Sequence, residues 1–545
     1  MQSFFEWFDA TGIDPNRPWL ILGKGPSFAK RKEQDLSSYH TMSLNHVVRE
    51  QAVTVAHMID YDVVDACGET ILTNANYLVL PWMPHVNNRP GWRNLEELAQ
   101  INPFLCQMER EGRLLWYNHS RARRRHGDSP VVRVKFFSAV GALNLLAQAG
   151  ARTIRSLGID GGTAYSQDFS DLKDKTLLAN GRQSFDRQFE EIARTIAVTG
   201  IDYSPMDVES PVKGFVGATE AEMLPAKVLE YSIRKWASMS VEVFPLHRSG
   251  IAIPLPKDPK QRPRTPFSFQ RFLIPALMAH RGRAIYLDSD MQVFKDIRAL
   301  WTMSFNGAEL LTVGEPQLSG RKPQFSVMVL NCETLHCDIR EIMRALDEGR
   351  LTYEKLVYEM AIVKNIRANI ALEWNALEHF SARETALLHF TDMNIQPWVS
   401  KENILGYLWT GDLIEAIDAG AVSIDFVKRE IAAGHVRPSL MYQVENRIQD
   451  ALLLPRKAWR MDTKFFPPYR SLPKHHGSLW LCSGHRLRAL LRRATRTPLP
   501  PIISVFSMTG FLDKAEEKPF FSWNPPQPSQ SNALQVGGLF SQLEN

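Results

Sequence analysis

The chain has 545 residues, 44% of them hydrophobic, with 64 Lys and Arg against 59 Asp and Glu. That length and apolar fraction allow two ordinary domains and exclude a wholly disordered chain. A net charge of +5 is too small to argue for nucleic acid, and no apolar run of about 18 residues occurs, so no membrane-spanning helix is expected.

The first residues, MQSFFEWFDATG, lack the basic start, sustained apolar core and small-residue cleavage site of a secretory signal. A short amphipathic helix is expected there instead. WLILGKGPSF (19–28) reads as an apolar strand running into a Gly-x-Gly turn. Glycines in such a turn let backbone amides approach a phosphate, although an ordinary tight strand-to-helix turn fits the same residues equally well. SLNHVV (43–48), VAHMIDYDVV (55–64), FFSAVGALNLLAQAGARTIRSLGIDGG (136–162) and the adjoining TAYSQDF come next. Their order is similar to the family 42 sialyltransferases and to bacterial proteins of the archaeal pterin-pyrophosphokinase-like group. The resemblance implies that Gly23, Gly25, Pro26, Ser27, Asn45 and Ser138 surround a nucleotide, with Asp160 ending the strand after the Ser-led helix. No residue matches the catalytic histidine of the sialyltransferases, and Asp160 reads equally as a turn residue capping the next element. Helix 137–150 carries Phe137, Val140, Leu143, Leu146 and Ala147 at near-helical spacing, a core face rather than a cofactor site. SRARRRHG gathers Arg121, Arg123, Arg124 and Arg125. The turn-rich SPMDVESPVKG (204–214) closes an expected α/β domain of residues 1–210.

A second α/β domain is expected over 214–455. The Pro-rich IPLPKDPKQRPRTP (253–266) is a loop that could serve an acceptor or a lid. Beyond it the apolar run Ala284–Leu287 delivers Asp288 and Asp290 to the end of a strand. Carboxylates at i and i+2 leave a strand on one side and can hold one hard cation between them. Asp-Ser-Asp is also good turn composition, and a lone D-x-D triplet is a weak signal. His389 in LLHFT, taken alone, reads as a satisfied histidine at a strand end.

Four further segments sharpen that reading: FSFQRFLIPALMAH upstream, PQFSVMVLNCE (323–333), EWNALEHF (373–380) and LLHFTDMNIQPW (387–398). Together with YLDSDM they resemble the donor-site core of glycosyltransferase family 8, retaining enzymes that use nucleotide sugars on a GT-A fold, over roughly 214–445. The resemblance implies a metal set of Asp288, Asp290 and His389, with Asp288 also near the donor, and Arg271 facing the donor's phosphates or uracil. It implies a divalent cation, manganese first and magnesium as the alternative. Two departures stand out: Gln396 occupies the position of the family's usual lysine before Pro-Trp, and Gln324-Phe325-Ser326 replaces its Asn-Ser-Gly. No nucleophile is named by the sequence, and Gln324 and Asn375 are the candidates.

After about residue 455 the patterning weakens, and residues 456–545 are expected to be a basic, Pro-rich tail, disordered over its last thirty or so residues. Within it GHRLRALLRRATR (484–496) sets Leu487, Leu490 and Leu491 among arginines. That pattern suits a helix lying on an anionic membrane, or a solvated helix with one apolar side on the domain. Five scattered cysteines, Cys67, Cys106, Cys332, Cys337 and Cys482, without a CxxC pair, suit reduced thiols in a cytoplasm. The expected fold is thus two Rossmann-like α/β domains, the second of GT-A type, plus the tail. The expected activity is bacterial and cytoplasmic: a hexose moved from a UDP-sugar to a surface glycan or lipid-linked saccharide, without a nucleic-acid partner. The alternative is a non-catalytic protein that binds nucleotide sugar or scaffolds polysaccharide assembly.

Overall fold

The N-terminal helix forms over Phe4–Ala10 (α1) for a local reason. Ser3 Oγ accepts from the Glu6 amide at 3.2 Å while the Glu6 carboxylate accepts from the Ser3 amide at 2.9 Å, a reciprocal cap. Phe4, Trp7 and Phe8, spaced three and four apart, are its buried face. The computed structural model describes residues 1–468 except 15–16, 136, 176–183, 266 and 315–324. Gln324, Cys482 and the segment 484–496 therefore lie outside the described residues. Among the described residues no helix is long and apolar enough to cross a membrane.

The chain divides into two compact units. The first comprises residues 1–212 together with 234–241 and 296–298. Its principal strands are Trp19–Leu22 (β1), His40–Leu44 (β2), Val53–His57 (β3), Ala75–Pro81 (β4), Leu114–His119 (β5), Thr153–Leu157 (β6) and Asp202–Pro205 (β7). All are parallel and lie in the order β5-β4-β3-β2-β1-β6-β7, with Gln2–Ser3 and Val131–Val132 added beside β5. A parallel sheet needs cover on both faces, which explains why β1 reads as an unbroken apolar run. Trp19 and Ile21 join one core cluster, with Phe4, Trp7 and the helix Ser138–Gln148 (α2), while Leu20 and Leu22 join the other. Strand order reverses between β1 and β6, the place where sheets of this class open a crevice at their carboxyl edge.

The second unit holds a mixed six-stranded sheet. Val212–Gly217 (β8), Val241–Pro245 (β9), Arg283–Asp288 (β10), Leu310–Val313, Val327–Asn331 and Ile366–Ile370 lie in the order β9, β8, β10, 327–331, 310–313, 366–370. β10 runs parallel to β8 and antiparallel to Val327–Asn331, so its segment Ala284–Leu287 is buried throughout. A small second sheet is built from Met291–Val293 (β11), Ala376–Leu377 (β12) and Leu387–His389 (β13). The two α/β units expected from the sequence are both present, the second with antiparallel strands among the parallel ones.

Candidate functional site

β10 ends on Asp288, and two residues earlier on the same face Tyr286 donates its hydroxyl to Asp288 Oδ1 at 2.5 Å. Gly217 pairs with Asp288 across the parallel ladder, and a Cβ there would collide with that hydroxyl. Glycine at 217 is therefore what admits the tyrosine. Arg271 lies 4.6 Å from the Tyr286 ring centroid and donates through Nη1 to the Phe325 carbonyl at 3.0 Å. Its Nη2 is 3.5 Å from Asp288 Oδ1. The guanidinium, expected to face a donor, is buried and turned toward Asp288. Burial raises the pKa of the Asp288 carboxyl and neighbouring Asp290 raises it further, outweighing the opposing pull of Arg271.

Asp290 sits one residue before β11, and the antiparallel pairing of β11 with β13 sets Met291 opposite His389. The Phe390 amide donates to the Asp290 carbonyl at 2.9 Å, locking that register. One ligand atom from each of Asp288, Asp290 and His389 lies within 4.8 Å of the other two. The long chain distance between the aspartates and the histidine is no obstacle to the assembly, because the strand pairing brings them together.

Three side chains complete the arrangement. Asn375 Oδ1 lies 2.9 Å from His389 Nδ1 and accepts its proton, so in the neutral imidazole Nε2 presents a lone pair. That lone pair is 3.1 Å from Asp290 Oδ1, a buried oxygen that accepts no hydrogen bond. Two acceptors facing each other repel unless a proton or a cation lies between them. Burial lowers the His389 pKa, but Asp290, Asp288 and Glu378 together outweigh it and the net direction is upward. Gln396, where the resembling family has lysine, donates to Asp290 Oδ2 at 3.0 Å and to the Phe390 carbonyl at 2.8 Å. Glu378 lies behind His389, its amide donating to the His389 carbonyl at 3.1 Å and Oε1 accepting from the Asp392 amide at 2.9 Å. Two carboxylates and an imidazole are a donor set that a divalent cation such as manganese accepts, and the unfilled Asp290 oxygen fits that group.

Asn375, a candidate nucleophile on sequence, is instead engaged with the imidazole, and Gln324 lies outside the described residues. Sequence reasoning gave no role to Tyr286, Gly217 or Glu378. Only Tyr286 carried a signal, its i,i+2 spacing from Asp288.

In the first unit, the turn after β1 meets the turn after β6. A Cβ on Gly23 would collide with the Gly158 carbonyl, and one on Gly25 would lie 2.6 Å from Asp160 Oδ2. Asp160 accepts from the Ser27 amide at 2.6 Å and from Ser27 Oγ at 2.5 Å, while Ser27 Oγ accepts from the Gly158 amide at 2.7 Å. The positions expected to cradle a phosphate hold the chain's own carboxylate. Close approach of two turns accounts for the glycines, and Pro26 opens the short helical turn next in the chain. Asn45 donates to Ser138 Oγ at 3.1 Å, so this pair does come together at the start of α2. Lys24, between the two glycines, was not singled out on sequence. Burial lowers its pKa to about 8, and its ammonium lies 4.7 Å from the Tyr165 ring centroid.

Residues 227–333 match the family model for glycosyl transferase family 8. Over 94 residues the chain is 34% identical to Protein CDI of Arabidopsis thaliana, a match covering 17% of this chain and 36% of that protein. The chain thus spans about a third of the length of this curated relative. Among solved structures, a galactosyltransferase, LgtC, in complex with donor and acceptor sugar analogues is 12% identical. The alignment covers 39% of this chain and 96% of that one, with a TM-score of 0.27. The bifunctional glycosyltransferase WbbM is 12% identical over 45% of this chain and 60% of its own, with a TM-score of 0.28. The glycosyltransferase GlyE of Streptococcus pneumoniae TIGR4 is 14% identical over 35% of this chain and 57% of its own, with a TM-score of 0.25. At such TM-scores these likenesses bear on neither substrate nor mechanism. The segment 227–333 that matches glycosyl transferase family 8 contains Arg271, Asp288 and Asp290.

Proposed function

We propose that the second unit transfers a hexose from a UDP-sugar to a glycan or lipid-linked saccharide, with retention at the sugar carbon and with a divalent cation held by Asp288, Asp290 and His389. The observation that carries this reading is the meeting of those three ligand atoms beside a strand that the family 8 match covers. A divalent cation supplies countercharge to the diphosphate that leaves as the glycosidic bond breaks. This chain's residues prepare the place for it. Asn375 fixes the imidazole tautomer, Gln396 orients Asp290, and Tyr286 with Arg271 orients Asp288. Manganese suits a mixed oxygen and nitrogen set better than magnesium, which favours oxygen ligands and retained waters. The retaining outcome, the hexose and the UDP moiety rest on resemblance to family 8. A cytoplasmic setting suits the cysteines, of which Cys67, Cys106, Cys332 and Cys337 are free thiols.

The test is hydrolysis of a panel of UDP-, CMP- and GDP-sugars with manganese, magnesium or chelator. Turnover of a UDP-sugar that needs the metal is expected, and metal-independent turnover would overturn the cation's part in the reading. One observation favours a binding protein instead: the Gln396 amide bonds Asp290 where the resembling family offers a lysine to the diphosphate. UDP binding that depends on manganese, with no donor turned over, would establish that second reading.

A further inference from the structure

We propose that the loops after β4 and β5 of the first unit form a docking surface for an anionic lipid bilayer. Residues 84–94 contain Arg89 and Arg93 and no acidic residue; residues 120–130 contain Arg121, Arg123, Arg124 and Arg125 against the single acid Asp128. All six arginines are exposed. Among the described residues, Arg89, Arg93, Arg123, Arg124 and Arg125 make no salt bridge. Both loops leave the same carboxyl edge of the sheet, and they touch: the Arg123 guanidinium lies 3.5 Å from the Trp92 ring centroid.

The surface is built rather than slack. Asn118, at the end of β5, donates to the carbonyls of His126 and Ser129 at 2.9 and 3.0 Å and accepts from the His126 amide at 2.9 Å. His126 stacks on Trp82 with ring centroids 3.9 Å apart, joining the two loops a second time. The nearby carboxylates of Asp60 and Asp62 accept from the Asn88 and Asn87 amides at 2.7 and 2.5 Å. Those acids shape the hairpin around residues 85–90.

At the tip of this basic surface stand two apolar side chains, Trp92, 78% exposed, and Val86, 41% exposed. An exposed indole beside an aliphatic group and a ring of guanidinium groups matches a bilayer interface. The indole enters the headgroup layer, the valine the acyl boundary, and the cations meet anionic headgroups. Single-stranded nucleic acid fits less well, because it asks for successive aromatic platforms, and here one indole projects with Arg123 on one of its faces.

The experiment is co-sedimentation of the full chain with phosphatidylcholine vesicles, with and without phosphatidylglycerol, at low and high salt. Binding only to the anionic vesicles, weakened by salt, is expected. The variant Arg123→Ala/Arg124→Ala/Arg125→Ala should partition roughly a hundredfold more weakly, at about fivefold per charge. Trp92→Phe serves as a separate readout: brominated lipid should quench wild-type emission more than that of this variant, since the indole at the interface is gone. A triple variant that partitions like the wild type would assign membrane affinity to another segment, such as 484–496, and overturn the proposal. So would a wild-type chain that binds RNA but no vesicle.

Discussion

Two strand-end carboxylate sites, one in each unit, differ in how much of their hydrogen-bonding capacity is used. Asp160 accepts from both the amide and the hydroxyl of Ser27, and Gly25 has no side chain to disturb that bond. Asp290 has one oxygen held by Gln396 and the other buried without a hydrogen bond, beside a second carboxylate and an imidazole lone pair. The first arrangement is complete as it stands and acts as a tie between turns. The second concentrates acceptors that repel one another, which is unfavourable in isolation and is relieved by a cation. Sequence position does not separate the two, since both aspartates come just after a strand.

The sharpest way to break the comparison is to remove Asp290. Asp290→Ala should abolish the manganese-dependent rise in melting temperature and the manganese-dependent UDP affinity, because Asp288 and His389 alone compete poorly with water for a hard cation. Without metal its melting temperature should equal or exceed that of the wild type, since one of two neighbouring carboxylates is gone. An unchanged manganese shift would remove the metal assignment.

Histidines give the next largest contrast. His57 and His119, buried in the first unit, are held at a pKa of about 3 by burial, aided in His119 by neighbouring His85 and His57, whereas His389 is shifted upward. In the window between about 3 and 6.5 the unfolded chain binds protons that folded His57 and His119 do not, so stability rises with pH and is lost as pH falls. At pH 5 the loss should be about 2 kcal/mol for each fully buried imidazole, taking 1.4 kcal/mol per pH unit below the unfolded pKa. Urea unfolding at pH 7 and pH 5 reads it, and His119→Asn should flatten the dependence. A first unit equally stable at both values would contradict the buried-neutral assignment.

How much of these sites was legible in the sequence depends on chain distance. The Asp288 and Asp290 pair is local, two residues on one strand, and a period-two argument finds it. The bond from Gln396 to Asp290 spans 106 residues and that from Ser27 to Asp160 spans 133. No local pattern encodes either, so Gln396 was visible as a departure from a family pattern but not as the group that orients Asp290. α1 was legible because its cap and apolar spacing lie within eight residues. Val327–Asn331 was legible as a buried strand by resemblance, but its antiparallel direction was not, because an apolar run buried on both faces looks the same in either direction.

Cutting the tie in the first unit should cost less than the histidine effect and leave the metal response intact. Asp160→Ala removes two charge-assisted hydrogen bonds and leaves the Ser27 amide without its partner, a loss of about 2–3 kcal/mol. Chemical denaturation measures it. Calorimetric titration with UDP, CMP and GDP then tests the turn itself: if the vacated Ser27 amide is a phosphate site, the variant should bind nucleotide more tightly than the wild type. Equal binding by both would leave the turn a structural tie.

The smallest effect should come from Asn375, which touches the site only through His389. Asn375→Ala deletes the acceptor at 2.9 Å from Nδ1, so the imidazole loses the bond that keeps its proton on Nδ1 and its Nε2 lone pair toward Asp290. Partners of this kind typically account for 10- to 100-fold in metal affinity, so manganese should bind about that much more weakly while the Asp288 and Asp290 carboxylates remain in place. Asn375→Asp should restore the affinity, since a carboxylate accepts the same proton and raises the basicity of the ring. Direct manganese titration by electron paramagnetic resonance reads both variants without a donor or an acceptor. If Asn375→Ala lowers turnover while manganese affinity stays at the wild-type value, the side chain acts on the substrate and not through His389.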